Sequence, residues 1–104
     1  MVVRSWRGYG ALASPEAYPT HLLEEVHPKL AQLPGFRGLY LLRRQHPDEV
    51  EFLVLTLWES MEAIRAFAGP ELEKAVVEPA ARAALLRYDS LVAHYEVVDG
   101  GRRT

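Results

Sequence analysis

The side chains best suited to acid–base chemistry in this chain are His94 and Glu96, two residues apart in the segment HYEV. Residues at that spacing point to the same face of a strand, and histidine titrates near neutral pH. If this face borders a pocket, His94 can accept a proton from a phenolic ligand. The alternative is a structural histidine at a subunit seam, hydrogen-bonded to Glu96 or Arg44.

Arg4 and Arg44 are the second group of candidates, and we expect both to share one face of the sheet with Trp6. A buried arginine needs an anionic partner, which would be Glu96 or the oxyanion of a substrate. The alternative is an ion pair between two subunits. Trp58 could stack on a flat substrate, or it could be a core residue at a strand-to-helix corner.

Several common kinds of site have no support in the sequence. The chain has no cysteine, so a thiolate nucleophile or a cysteine metal site is excluded. His21 and His27 lie six residues apart, whereas a shared helical metal site favours three or four, and His46 lies in a predicted turn. We expect all three to be solvated. Gly8-Tyr9-Gly10 lacks the third glycine of a dinucleotide loop, so we expect neither metal nor cofactor.

Length and composition indicate a single domain. The chain has 104 residues, of which 49% are hydrophobic and 25% charged, and its net charge is -2. It carries no basic patch, so nucleic acid is not an expected partner. It has no apolar run of membrane-spanning length and no signal sequence, so we expect a cytoplasmic protein without a membrane partner. The chain contains no asparagine, a depletion compatible with a thermophilic source.

The hydrophobic pattern predicts the elements that would position these residues. They are a strand over Val2–Ala11, a helix from Ser14 to Leu33 bent at Pro28, a hairpin of Phe36–His46 and Glu49–Trp58, helical pieces over Ser60–Phe67, Pro70–Val77 and Ala80–Arg87, and a strand over Leu91–Val98. This order predicts an α+β, ferredoxin-like β-α-β-β-α-β fold with a four-stranded antiparallel sheet and both helices on one face. Residues 1–99 would form the domain and 100–104 a tail.

The third strand is apolar on both faces. We expect Leu53, Leu55 and Leu57 to face the helices, which leaves Phe52, Val54, Thr56 and Trp58 on the open face together with Tyr40. Such a face is too apolar for solvent, so we expect a homodimer that forms through the sheet face. The alternative is a monomer whose aromatic side chains line an open groove.

Three segments carry a resemblance to a known family. TLWESMEAIRAF, PGFRGLYLLRR and SLVAHYEVV resemble the antibiotic biosynthesis monooxygenase family of dimeric α+β barrels, and the resemblance spans Val2 to Val98. It implies two ferredoxin-like protomers whose sheets close into a barrel with a pocket. Some members of this family oxidise polycyclic aromatics with dioxygen and without metal or flavin, and others degrade haem.

The haem-degrading relatives use a histidine of the second helix, an asparagine and a tryptophan. In this chain the segment PELEKAVVEPA has no histidine, and no asparagine occurs at any position, so we do not expect haem degradation. The quinone-forming relatives also rely on an asparagine, so their catalytic set is not reproduced either.

The resemblance therefore implies a cofactor-independent monooxygenase that acts on a small aromatic or polyketide-like substrate. His94 would be the base and Arg44 would stabilise charge, while the substrate would be bound by Trp6, Tyr40, Thr56 and Trp58. The alternative is a non-catalytic dimeric protein that binds a small molecule or another protein, because this fold hosts many functions.

Overall fold

A computed structural model describes residues 1–101, which form one antiparallel sheet with helices on one face. The strands are β1 (Val2–Gly10), β2 (Phe36–Gln45), β3 (Val50–Trp58), β4 (Arg87–Tyr88) and β5 (Ala93–Glu96). The strand order is β2-β3-β1-β4, and β5 also pairs with β1. The predicted α+β, ferredoxin-like class is confirmed, with five strands in place of four.

The fifth strand arises because the chain pairs twice with the same edge of β1. Gly8 and Tyr9 pair with β4, whereas residues 2–5 pair with β5. Between these pairings the indole N–H of Trp6 donates a hydrogen bond to the carbonyl of Asp89, at 2.7 Å. The prediction of a helix as far as Arg87 was wrong, since Arg87 already belongs to β4.

Three helices cover the sheet. The first, α1, is a continuous helical run made of Ala17–His21, a wider π-helical turn at Leu22–Val26, and His27–Leu30. The others are α2 (Met61–Ala68) and α3 (Pro79–Ala83). Pro28 has no backbone N–H, so one helical hydrogen bond is missing where the π turn meets the last turn of α1. The irregularity that Pro28 predicts is therefore present.

The segment between α2 and α3 is not helical, although the sequence predicts a helix over Pro70–Val77. Lys74 forms an isolated β-bridge with Leu91, and the N–H of Ala75 donates to the carbonyl of Ser90 at 3.0 Å. Pro79 disfavours helical geometry at the residue before it, which is extended. The segment therefore runs beside the residues that precede β5.

The side chains of β3 face the opposite way from the prediction. Phe52 and Val54 lie in a core cluster with Tyr18 and Leu22, beneath α1, and Trp58 is fully buried in a second cluster with Leu30 and Ile64. The set Leu53, Leu55 and Leu57 therefore lies on the open face of the sheet. The large aromatic rings fill the space between sheet and helices, which leucines at alternate positions would leave partly empty.

The corner between β3 and α2 depends on two local features. Ser60 is the N-cap of α2, and its side chain accepts a hydrogen bond from the N–H of Ala63 at 3.2 Å. Beside it, the carbonyl of Gly35 accepts from the N–H of Glu59 at 2.8 Å. Gly35 has a φ of 83°, and a Cβ at this position would lie 2.5 Å from the Cβ of Ala63. Only glycine fits here without strain.

The substitution Gly35→Ala is expected to lower the free energy of unfolding by about 2 kcal/mol or more, because it combines a positive φ with an overpacked contact. In an Ala63→Gly background the contact is absent, so the same substitution should cost less. Denaturant unfolding of the four proteins provides a double-mutant cycle. Strictly additive effects would contradict the close approach of these two residues.

Candidate active site

A cavity of about 100 Å³ lies between the sheet and the helices that cover it. Strands β1, β2 and β3 form its floor, and the three helices and the segment between α2 and α3 form its walls. Most of its lining is apolar and includes Leu22, Val26, Leu39, Val54, Phe67 and Val77. A concave apolar space with a few polar groups is the usual form of a small-molecule site.

Arg4 brings a buried positive charge to this cavity. The residue is only 5% exposed. Its Nη1 donates to the carbonyl of Leu72 at 2.7 Å and its Nη2 to the carbonyl of Lys74 at 2.9 Å, and Nη1 also lies 3.0 Å from Nε2 of His94. All three partners are neutral acceptors, so no carboxylate within residues 1–101 is bonded to this guanidinium. An anionic ligand would balance its charge.

His94 holds Arg4 in place. The β1–β5 register sets the two residues opposite each other, and since a guanidinium only donates, Nε2 of His94 must be the acceptor. Burial, with a further contribution from the charge of Arg4, lowers the pKa of His94. The imidazole is therefore neutral near pH 7. With Nε2 occupied and the ring outside the cavity lining, His94 orients Arg4. The catalytic role that the sequence suggested for His94 stays a prediction.

Thr56 and Trp58 form a pair in which only the threonine borders the cavity. The hydroxyl of Thr56 accepts from the indole N–H of Trp58 at 2.9 Å and lies 3.5 Å from the carbonyl oxygen of Arg4. Trp58 is fully buried between Phe36 and Phe67, with ring centroids 5.3 and 5.5 Å away. Trp58 therefore fixes the orientation of Thr56, and the structure places it in the core.

Trp6 and Tyr18 form an aromatic wall. Their ring centroids lie 5.8 Å apart, and Tyr18 also packs against Phe52 at 5.4 Å. Burial raises the pKa of Tyr18 well above its usual value, so the phenol keeps its proton. The site residue Trp6 is thus brought together with Arg4 and Thr56, which also line the cavity.

His21 also reaches the cavity, and sequence reasoning missed it. Its Nε2 is buried and has no hydrogen-bond partner, the only such side-chain nitrogen or oxygen in residues 1–101. The expectation that His21 is solvated was wrong. The signal was in the spacing: Tyr18, His21 and Leu22 lie at i, i+3 and i+4, which places them on one face of a helix.

The sequence pattern of the antibiotic biosynthesis monooxygenase family matches residues 14–79, well over half of the chain. The chain belongs to this family. The match includes α1, the β2–β3 hairpin, α2 and the segment that walls the cavity. It leaves out β1, β4 and β5, and therefore Arg4 and His94.

Solved structures of similar fold agree with this assignment. A Bacillus cereus protein assigned to the antibiotic biosynthesis monooxygenases has 17% identity and a TM-score of 0.73, with 100% of this chain and 97% of that chain covered. The heme degrader MhuD from Mycobacterium tuberculosis, solved with two hemes bound, has 28% identity and a TM-score of 0.63, with 97% and 100% covered.

SnoaB from Streptomyces nogalater, a cofactor-independent oxygenase, has 22% identity to this chain and a TM-score of 0.60. The comparison covers 99% of this chain and 95% of SnoaB. No curated protein matches the chain. Within residues 1–101 there is no cluster of three or more metal-ligating side chains, and no helix there is long and apolar enough to cross a membrane.

Arg44 and Tyr40 lie on the open face of the sheet, opposite the face that borders the cavity. Arg44 stands opposite Glu51 in the β2–β3 register, and its Nη2 donates to that carboxylate at 2.9 Å. The prediction that Arg44 shares a face with Arg4 and Trp6 was therefore wrong. Tyr40 is 61% exposed on the same open face. Neither Arg44 nor Tyr40 borders the cavity of this protomer.

Glu51 is a buried carboxylate that bonds to two arginines and a histidine. Besides Arg44 it accepts from Nε of Arg7 at 2.9 Å and lies 2.7 Å from Nε2 of His46. His46 is thus a partner of Glu51 and, with 33% of its side chain exposed, is only partly solvated. Hydrogen bonds from His46 and then Arg44 lower the pKa of Glu51 from 4.5 to about 2. A carboxylate with a depressed pKa stabilises the fold above its unfolded pKa, and this contribution is lost as the pH falls toward 2.

We expect the melting temperature of the protein to fall between pH 5 and pH 2, and Glu51→Gln to flatten this dependence while lowering stability at pH 7. Thermal unfolding followed by circular dichroism across this range measures both effects. Glu16→Gln is the control, because Glu16 pairs with Arg43 at 2.7 Å on the exposed surface. An unchanged acid dependence in Glu51→Gln would contradict the assignment.

Proposed function

We propose that this protein is a cofactor-independent oxygenase that acts on a small hydroxylated aromatic compound in the cavity between sheet and helices. Family membership supports a monooxygenase-like role. The observation that carries the proposal is Arg4, a buried guanidinium at an apolar cavity, to which no carboxylate of residues 1–101 is bonded. The oxygen of an ionised substrate would supply the missing negative charge.

Arg4 can lower the barrier because its position is fixed before the substrate binds. Two backbone carbonyls and His94 hold the guanidinium, so it need not reorganise as negative charge develops on the substrate. An electrostatic interaction of this kind is stronger in an apolar, water-excluded site than in solvent. The wall formed by Trp6 and Tyr18 contributes that environment, and the neutral phenol of Tyr18 adds no competing charge.

The reaction needs dioxygen and a substrate hydroxyl, and no external reductant. Loss of the hydroxyl proton gives an aryloxide whose ring carbon forms a bond to dioxygen, and protonation yields a hydroperoxide. Cleavage of the O–O bond and of the C–H bond at that carbon then releases water and leaves a carbonyl group. One oxygen atom of dioxygen enters the product and the other leaves as water, so a hydroquinone becomes a hydroxyquinone.

The cavity volume favours a single ring over a polyketide-like polycycle. An engineered protein cavity of roughly 150 Å³ holds benzene, so this cavity of about 100 Å³ has room for no more than one ring. Haem, the ligand of MhuD, does not fit these residues. The segment PELEKAVVEPA has no histidine, and the cavity is smaller than the roughly 300–1,000 Å³ of typical ligand pockets.

Oxygen uptake tests the proposal with a panel of hydroquinones and anthrones and without added metal. We expect turnover of the single-ring compounds, and a loss of about 100-fold in Arg4→Gln, as when one oxyanion-stabilising donor is removed. Arg44→Gln is the matched control on the opposite sheet face and should retain activity. Binding without turnover would favour the non-catalytic alternative, and equal losses in both variants would contradict the role of Arg4.

We further propose that two copies of the protein associate through the open face of the sheet. This face carries Leu53, Leu55 and Leu57, together with the exposed Tyr40 and Tyr95. Tyr40 and Leu55 are direct neighbours in the β2–β3 register, so the apolar side chains are contiguous. A contiguous exposed apolar face on a small domain is typical of a self-complementary two-fold interface.

Replacement of Tyr40 by Glu is expected to shift the protein from dimer to monomer, because the new charge would be buried against its partner. Analytical ultracentrifugation at micromolar concentration measures the mass. Leu23→Glu is the control, since Leu23 is exposed on α1, away from this face. A wild-type protein that sediments as a monomer would contradict the proposal.

A further inference from the structure

We infer that His21 is the proton acceptor of the cavity, and that the ligand it serves carries a phenolic or enolic hydroxyl. This inference rests on the proposed function for the reaction that follows proton removal. The ligand class, however, comes from the polar groups of the cavity, and it can be tested without oxygen.

The first observation is the buried, unpartnered Nε2 of His21. A buried polar atom without a partner destabilises a fold, and native proteins contain few of them. His21 lines the cavity, so a ligand that binds there can supply the missing hydrogen bond. A hydroxyl that donates to Nε2 would satisfy it and would be placed for proton transfer.

The second observation is that the neighbouring polar side chains are already engaged. The hydroxyl of Thr56 accepts from Trp58, the indole of Trp6 donates to Asp89, and the ring nitrogen of His94 accepts from Arg4. Of the side chains that line the cavity, Glu78 lies 3.7 Å from Nζ of Lys29, whereas His21 has a buried Nε2 without a partner in residues 1–101. It is therefore better placed than His94 to accept a proton from a ligand in the cavity.

The third observation is that the same cavity contains the guanidinium of Arg4. A neutral hydroxyl compound can use both groups: its O–H bond breaks, the proton forms an N–H bond with Nε2 of His21, and the electron pair stays on the oxygen. Arg4 then stabilises the oxyanion, and the total charge of the cavity is unchanged. A carboxylate ligand arrives already ionised and would leave His21 without this role.

Anaerobic titration with 4-nitrophenol tests the inference, at a pH at which the free compound is mostly neutral. The ionised form has its own absorption band, so the spectrum reports whether the bound compound has lost its proton. Wild type should bind it in the ionised form. His21→Gln should bind it at least tenfold more weakly and in the neutral form, whereas His27→Gln, six residues further along the chain, should match wild type.

Thermal stability gives a second readout that separates a functional histidine from a structural one. His21→Phe removes the unpartnered nitrogen and keeps a ring, so its melting temperature should rise by about 4 °C or more. Its oxygen uptake should fall by about 100-fold or more, as expected for loss of a general base. A lower melting temperature together with unchanged uptake would overturn the inference.

The outcomes distinguish this inference from the proposed oxygenase activity. Ionised 4-nitrophenol in wild type, lost in His21→Gln, supports the role of His21 even if no compound of the panel consumes oxygen. Oxygen uptake that is unchanged in His21→Phe would reject His21 as the base and leave the oxygenase proposal standing. Failure of wild type to bind 4-nitrophenol, or an ionised spectrum that persists in His21→Gln, would reject the inference.

Discussion

The buried guanidinium of Arg4 is the interaction on which the rest of the site depends. It joins three parts of the molecule, because it extends from β1 to His94 of β5 and to the carbonyls of Leu72 and Lys74. A buried charge is costly unless hydrogen bonds compensate for it. These bonds hold the irregular segment against the sheet and leave the positive charge at the edge of an apolar cavity. The hydrogen bonds of Arg4 thus both hold the cavity wall in place and set the positive charge beside the cavity.

The orientation of β3 decides which side chains can meet in the cavity. Leucines alternate with Phe52, Val54, Thr56 and Trp58, so both faces of the strand are apolar and hydrophobicity alone does not distinguish them. Side-chain size distinguishes the two faces, because the larger rings fill the buried space between the sheet and the helices. The reversal places Thr56 at the cavity and leaves the leucines on the open face.

Local signals in the sequence predicted much of the fold. The helix start at Ser60, the bend at Pro28 and the turn between β2 and β3 each follow from a few neighbouring residues. The segment ELEKAVVE, in contrast, has a helix-favouring composition but is not helical, because Pro79 restricts its end and Lys74 bridges to Leu91. The strand β4 has only two residues, and periodicity needs more than that to indicate a strand.

The site was less predictable than the fold, because its polar contacts join residues far apart in the chain. The bond between Arg4 and His94 spans almost the whole sequence and depends on the register of β5 against β1. From the sequence, Arg44 was expected on the same face of the sheet as Arg4. Its pairing with Glu51 places it on the open face instead. His21 was the one site residue whose helical spacing carried a usable signal.

The wall segment between Pro70 and Pro79 has a consequence for how this site can diverge. It binds Arg4 through main-chain oxygens, so the identities of the side chains at Leu72 and Lys74 are not what the guanidinium recognises. Substitutions along this segment can alter the shape of the cavity while the electrostatic anchor persists. A deletion or insertion would shift the carbonyl groups and remove their hydrogen bonds to Arg4. Substrate preference and charge stabilisation can therefore evolve separately in this protein.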